Sequence, residues 1–280
     1  MNVRAYAKIN WSLAVLGQRE DGYHVLDTLM QPISLYDELL IEPAEAFLFS
    51  CDDAAIPADD RNLVVKAAHR YAEQCGMGSI PLAVHLKKHI PSQAGLGGGS
   101  SDAAAMLHVM QEAFRGLTEE ALGDLALGLG ADVPFCMHKK AMRCGGIGEV
   151  MHPIVSKKYP LLLVQPSDGI STGALFQALQ ANRRTKNEMH VDAGKMKHAL
   201  QTGDFANVRC QMQNDLLSAA CAFVPSIGDT IERLYAQGAQ FASMSGSGSC
   251  CFGVFRDEET GLQAKDAFLD MPFCQCAHTI

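Results

Sequence analysis

The apolar residues change period along the chain, and each change marks an element. Val3, Ala5 and Ala7 alternate with polar neighbours and Ile9, Trp11 and Leu13 extend the row, so residues 2–17 are expected as strand. GQREDGYH (17–24) interrupts it as a polar, glycine-punctuated turn, and TLMQPISLYDELLIEP (28–43) returns to strand text. In RNLVVKAAHRYAEQCG (61–76) the apolar positions Leu63, Ala67, Ala68 and Tyr71 fall at helical spacing, with Gly76 as the stop. PLAVHLKKHI (81–90) alternates again through Leu82, Val84 and Leu86. A helix is expected over 99–115 and another over 118–130, with Thr118 as N-cap and Glu119 and Glu120 at its positive end. Strands are expected around 141–165, where LLLVQP reads as a fully buried one. Helices then dominate, at 171–181, 192–201, 204–213 and 225–237. Strands near 240–244 and 250–255 enclose MSGSGSCC, and a helix over 258–269 precedes a closing strand. Strand-rich text followed by helices with a few strands predicts an α+β fold in two lobes, divided near 150–160.

Composition narrows the class. The 280 residues are 48% hydrophobic and 19% charged, enough apolar material for a substantial core. A net charge of -8 argues against broad binding to nucleic acid or anionic membranes, while leaving room for a local phosphate pocket. No apolar run approaches the roughly 18 residues of a membrane span, and MNVRAYAKIN lacks the apolar stretch of a signal peptide. A cytoplasmic location is therefore expected. The ten cysteines include no CxxC, so free thiols in a reducing compartment are expected; a zinc site would need paired spacings that are missing.

The chemistry concentrates in PSQAGLGGGSSDAAA (91–105). No lysine follows the glycines, which excludes GxxxxGK[ST]. GxGxxG fails at Ser100, and neither this stretch nor SGSGS (245–249) contains GxSxG. The physics still points to an anion. Glycines permit positive φ and close approach of a ligand, and the start of a helix adds unsatisfied N–H donors and a positive dipole end. Ser100 and Ser101 add hydroxyls. The plainer alternative is a flexible strand-to-helix connection with a serine N-cap.

PSQAGLGGGSSDAAA resembles the PxxxGLGSSAA signature of the GHMP kinases, the galactokinase, homoserine, mevalonate and phosphomevalonate kinase superfamily. AYAKINWSL (5–13) and MSGSGSCCFGVF (244–255) resemble the family's N-terminal strand and C-terminal glycine motif, in order. The form GLGGGSSDAAA, with AKIN before it and GADVPF (130–135) after it, is most similar to the branch acting on a diphosphocytidyl polyol. The match spans essentially the whole chain. It implies a two-lobed GHMP kinase fold, with a ribosomal-S5-like N-terminal lobe (1–155), a ferredoxin-like C-terminal lobe (156–280) and the active site in the cleft between them. It further implies ATP-dependent phosphorylation of an alcohol in non-mevalonate isoprenoid precursor synthesis, with ATP and Mg2+.

The resemblance also gives residues their parts. Asp132, in LGADVPF, becomes the catalytic base; from sequence alone it could equally cap the next turn. Lys8, in AKIN, becomes its partner and a stabiliser of the transferring phosphoryl, where an outward-facing strand lysine is the alternative. Asn10 lies on the same strand face and would bind substrate. DGYHVLDT (21–28) matches the segment holding cytosine, with Tyr23 as stacking face and His24 as polar edge. Phe176 matches the aromatic on the opposite face of the base, with Thr172 nearby. As alternatives, Tyr23 and His24 are turn residues and Phe176 a core residue. Asn62, also a candidate N-cap, and Lys88 match positions near the adenine. Gly95, Gly97, Gly98, Gly99, Ser100 and Ser101 form the phosphate cradle. SGSGS reads either as part of the nucleotide site or as a turn buttressing that cradle, and Asn214-Asp215 as a structural pair. No residue is singled out as a magnesium ligand.

Two rival functions remain at this level. One is a GHMP kinase acting on homoserine, mevalonate or a sugar, against which Tyr23, His24 and Phe176 speak. The other is a nucleotide-binding regulator, which would need neither Lys8 nor Asp132. The expected partner is a small molecule bearing cytidine diphosphate, with no nucleic acid or membrane, and the chain is expected as a monomer or weak homodimer.

Overall fold

The computed structural model describes residues 1–20, 22–167, 169–182, 193–205 and 214–280. The chain forms two compact units. The first comprises Met1–Ala7, Leu35–Ile90 and Gly97–Lys139; the second comprises Lys8–Ser34, Pro91–Leu96 and Lys140–Ile280. Strands β1 (Asn2–Gln18) and β2 (His24–Pro43) contribute residues to both, so the division is not a single cut along the sequence.

In the first unit the C-terminal half of β2 pairs antiparallel with β4 (Leu82–Lys87), from Glu38 opposite Lys87 to Pro43 opposite Leu82. The short β3 (Leu48–Cys51) runs parallel to the other edge of β4. Four helices accompany them: α1 (Leu63–Gln74), α2 (Gly98–Phe114), α3 (Glu119–Leu129) and the single turn α4 (Val133–Cys136). Leu39, Ile41, Val84 and Leu86 from the strands pack with Val64, Ala68 and Tyr71 of α1. Helix α2 enters the same core with Ala103, Ala104, Ala105 and Met106 in succession. Small alanines allow a helix to be buried on most of its circumference, with His108 and Glu112 exposed on the rest. The caps are those expected. Asn62 accepts from Val64 N–H at the start of α1 and Thr118 from Ala121 N–H at the start of α3. Gly76, at φ +62°, follows the end of α1.

In the second unit the N-terminal half of β2 pairs antiparallel with β5 (Met142–Gly146), which pairs with β6 (Val150–Pro153). A further sheet runs in the order β10 (Phe273–His278), β7 (Pro160–Gln165), β9 (Cys251–Val254), β8 (Phe241–Met244), every pair antiparallel. Leu161–Val164 of β7 are buried without alternation, as a central strand covered on both faces requires. Helices α5 (Thr172–Asn182), α6 (Ala193–Thr202), α7 (Leu217–Phe223), α8 (Ser226–Ala236) and α9 (Glu258–Lys265) belong to this unit. Trp11 lies in an aromatic cluster with Tyr159, Phe205, Phe241 and Phe252, ring centroids 5.7–6.3 Å away.

Three elements were absent from the sequence reading. β3 and α4 are four residues each, too short for a period to register. LSAACAF of α7 buries only Ala219 and Ala220, so its apolar spacing is weak. β2 starts at His24, inside the stretch read as turn. The helix expected over 204–213 lies, from residue 206 onward, outside the described residues. The described cysteines are all free thiols, and burial pushes those of Cys250 and Cys251 upward, as expected of inert core residues.

Candidate active site

The glycine run splits into two parts with different work. Gly97 is the N-cap of α2 in the left-handed region, φ +71° and ψ +20°, with no side chain to cap the helix. Ser101 N–H donates to Gly97 C=O at 2.8 Å, the first bond of the helix. Helix geometry therefore leaves the N–H groups of Gly98, Gly99 and Ser100 without intrahelical acceptors, gathered at the positive end of a 17-residue helix. The serine N-cap alternative is not realised. Ser101 is buried within the helix, and its hydroxyl donates to Tyr6 C=O at 2.7 Å, tying α2 to β1. At Gly98 a Cβ would stand 3.0 Å from Ile90 Cγ2, too close for comfort, whereas at Gly99 it would meet only Leu63 Cδ1 at 3.7 Å.

Gly95 serves the other part. Its φ is +73°, and a Cβ there would lie 2.0 Å from Ser245 C=O. Ser245 Oγ donates to Gly95 C=O at 2.9 Å, and Cys250 N–H donates to Ala94 C=O at 3.2 Å. SGSGS thus buttresses the loop. Asn214 fixes SGSGS in turn, its Nδ2 donating to Met244 C=O at 3.0 Å and Gly246 C=O at 2.7 Å. Asp215 accepts from Val15 N–H at 2.7 Å, so the pair is structural as read.

Lys8 is 3% exposed, not an outward-facing strand lysine. Its Nζ donates to Asn10 Oδ1 at 2.7 Å; Asn10 Nδ2 donates to Thr28 Oγ1 at 2.8 Å, and Thr28 Oγ1 to Ser12 C=O at 2.6 Å. Two residues apart on β1, Lys8 and Asn10 share a strand face, and the relay through Thr28 fixes which way the Asn10 amide points. Lys8 N–H also donates to Leu96 C=O at 2.9 Å, and a Cβ on Gly246 would come 3.3 Å from Lys8 Nζ. Thr28 was missed by sequence reasoning, because an isolated threonine carries no spacing signal, whereas Ser245 belongs to the SGSGS motif already singled out.

His24 and Phe176 are stacked, centroids 4.3 Å apart at an interplanar angle of 18°. They are distant in sequence, and the contact joins the start of β2 to α5. Tyr23 is 57% exposed beside them in sequence. Thr172, at the start of α5, shares a 2.8 Å hydrogen bond with Ser247 of SGSGS.

The remaining candidates lie in the first unit. Asp132 precedes α4, and Val133 N–H bonds Gly130 C=O at 3.0 Å to shape the turn. Its side chain makes no cap hydrogen bond, so the simple capping role is not the one it fills. Asn62 does cap α1 and also donates to Pro57 C=O at 2.9 Å. Lys88 is buried between two carboxylates, Asp37 and Asp102, the latter at 2.8 Å. Burial alone would lower its pKa, but Asp102 and Asp37 outweigh that and raise it. Burial pushes the Asp102 carboxyl up to about 8 against the pull of Lys88, and Asp37 adds to the rise. Lys8 and Asp132 belong to different units. Among the described residues no helix is long and apolar enough to cross a membrane.

Known proteins bear on this arrangement. The family model "GHMP kinases N terminal domain" matches residues 62–140 and "GHMP kinases C terminal" matches 196–271. The 4-diphosphocytidyl-2-C-methyl-D-erythritol kinase of Clostridium kluyveri is 40% identical over 260 residues, covering 92% of this chain and 91% of its own. That of Chloroherpeton thalassium is 37% identical over 269 residues, covering 95% and 93%. A crystal structure of 4-(cytidine 5'-diphospho)-2C-methyl-D-erythritol kinase superposes with a TM-score of 0.85 at 32% identity, covering 100% of this chain and 99% of its own. The mevalonate kinase of L. major, solved with R-mevalonate, shares the fold with a TM-score of 0.74 at 16% identity, covering 100% and 95%.

Proposed function

Because the chain belongs to the GHMP kinases, and within them to the 4-diphosphocytidyl-2-C-methyl-D-erythritol kinases, we propose that it transfers the γ-phosphate of ATP to the 2-hydroxyl of 4-diphosphocytidyl-2-C-methyl-D-erythritol, a step of non-mevalonate isoprenoid precursor biosynthesis. The observation that carries the reading is the bare start of α2, where a left-handed glycine opens a long helix without a side-chain cap. Phosphate oxygens suit such donors. In sequence, residues 1–155 form the ATP-binding domain and 156–280 the C-terminal domain, with one family match inside each.

Phosphoryl transfer asks the protein mainly for positioning and charge. Asp132 accepts the proton of the attacking hydroxyl as the new O–P bond forms and the bond from the γ-phosphorus to its bridging oxygen breaks, releasing ADP. Lys8, held by Asn10, supplies positive charge as negative charge gathers on the transferring group. Gly95, Gly97, Gly98, Gly99 and Ser100 cradle the phosphates, and Ser101 anchors the cradle through Tyr6. Asn62 serves the adenine side, and Lys88, which the resemblance also sets there, acts from between Asp37 and Asp102. Tyr23, His24, Thr172 and Phe176 receive the cytidine arm. Magnesium is the ion proposed to accompany ATP, and no side chain is assigned to hold it. When bound, that ion neutralises phosphate charge. The enzyme acts in the cytoplasm as a monomer or weak homodimer.

ADP release tests the reading, with ATP, magnesium and either the complete substrate or the same polyol lacking cytidine. Turnover only with the cytidine-bearing substrate is expected, falling by about 10²–10⁴-fold in Asp132→Asn. Tight ATP binding without turnover of that substrate would replace the acceptor or the kinase role.

A further inference from the structure

The Asp37–Lys88–Asp102 cluster has a geometry that simple packing does not require. Asp102 is in the second turn of α2, about 6 Å along the axis from its first residue. A buried carboxylate there opposes the attraction of the helix end for phosphate. Lys88 Nζ answers it, 2.8 Å from Asp102 Oδ2, and would lie 3.4 Å from a Cβ on Gly98, the first residue of the helix. Asp37 holds the lysine from the other side. Its second oxygen accepts from His89 N–H at 2.5 Å and Ile90 N–H at 2.8 Å, so the segment carrying Lys88 is fixed as well.

Two carboxylates share one ammonium, and their hydrogen bonds are unequal. Asp37 accepts from Lys88 and from two backbone N–H groups. Asp102 accepts from Lys88 and lies within hydrogen-bond reach of the Asp37 carboxylate, while its Oδ1 is buried with no hydrogen-bond partner. Asp102, its carboxyl raised by burial, is therefore the member that takes a proton. Around them stand Asp52, whose Oδ1 accepts Lys88 N–H at 2.9 Å, and the Cys51 thiol, raised by its own burial. We propose that Lys88 is a positioning residue for ATP: through Asp102 it sets the charge behind the phosphate-binding start of α2, so that nucleotide affinity follows the protonation of this cluster. With Asp102 protonated, the Asp37–Lys88–Asp102 group is neutral. With Asp102 ionised, it carries one net negative charge behind the anion site.

The inference rests on the kinase reading, and ATP binding measured by calorimetry separates the two. The wild type, Asp102→Asn, Lys88→Met and Lys88→Arg are compared at pH 7 and pH 9, with folding checked by circular dichroism. Since burial raises the Asp102 carboxyl well above the usual carboxylate range, the wild-type Kd is expected to rise between these values. The rise is roughly tenfold, as for one charge about 10 Å from another at an effective dielectric of about 20. Asp102→Asn should flatten it; the titration of ATP itself is common to both proteins. Lys88→Met should weaken ATP at pH 7 by a similar factor, and Lys88→Arg should restore most of it. Should Lys88→Met not fold, the pH dependence of Asp102→Asn decides. An equal rise in wild type and Asp102→Asn, or none in either, overturns the inference alone. No ATP binding by wild type at either pH overturns the kinase reading and this inference with it.

Discussion

At the scale of single residues, glycines in one short run answer to different constraints. Gly95 combines a φ of +73° with a space already filled by Ser245 C=O. Gly99 is helical, and a methyl group there makes ordinary contact with Leu63. Gly95→Ala is therefore expected to destabilise the fold by more than the roughly 1–2 kcal/mol of left-handed strain, because the carbonyl must also move. Gly99→Ala should be neutral or stabilising, by up to about 1 kcal/mol, through helix propensity. Urea denaturation of both variants measures the contrast, and equal effects would sink it. The need for glycine at 95 was legible as a run; which glycine needed it was not, since Ser245 is remote in sequence. Lys8 teaches the same lesson. AKIN showed a lysine among apolar residues, but only burial and the bond to Asn10 turned it from a surface charge into a held one.

At the scale of elements, the His24–Phe176 stack joins the first residue of β2 to α5. Neither ring has a partner that local spacing could identify. Under the kinase reading, Phe176→Ala should raise KM for the cytidine-bearing substrate about 5- to 150-fold, the equivalent of about 1–3 kcal/mol per stacked base. KM for ATP should stay within about twofold, a factor below the ~1.4 kcal/mol of a tenfold change. Steady-state kinetics on both substrates decides. A matched rise in both constants would mean that Phe176 supports the fold, not the cytidine pocket. The longer elements were legible because their apolar periods repeat over several turns or pleats. β3, α4 and α7 were not, because a period needs length to show.

At the scale of the molecule, each unit has its own apolar core, yet β1 and β2 pass through both. Unfolding one unit therefore removes strand residues continuous with the other. Trp11, the single tryptophan, lies in the aromatic cluster of the second unit and reports on that unit alone. Its fluorescence and far-UV circular dichroism are expected to give coincident urea midpoints, the mark of one cooperative transition. A fluorescence midpoint displaced from the dichroism curve would show the units unfolding separately. The sequence by itself determined the types of the longer described elements, the caps at Asn62 and Thr118, the glycine-opened helix and the family, because these depend on local period and on ordered motifs. Tertiary structure alone decided the partners: Ser245 against Gly95, Thr28 behind Asn10, Phe176 on His24, and two aspartates sharing Lys88. Those contacts join residues from separate segments. Their energies come from burial and short-range hydrogen bonding, which exist only once the chain has brought them together.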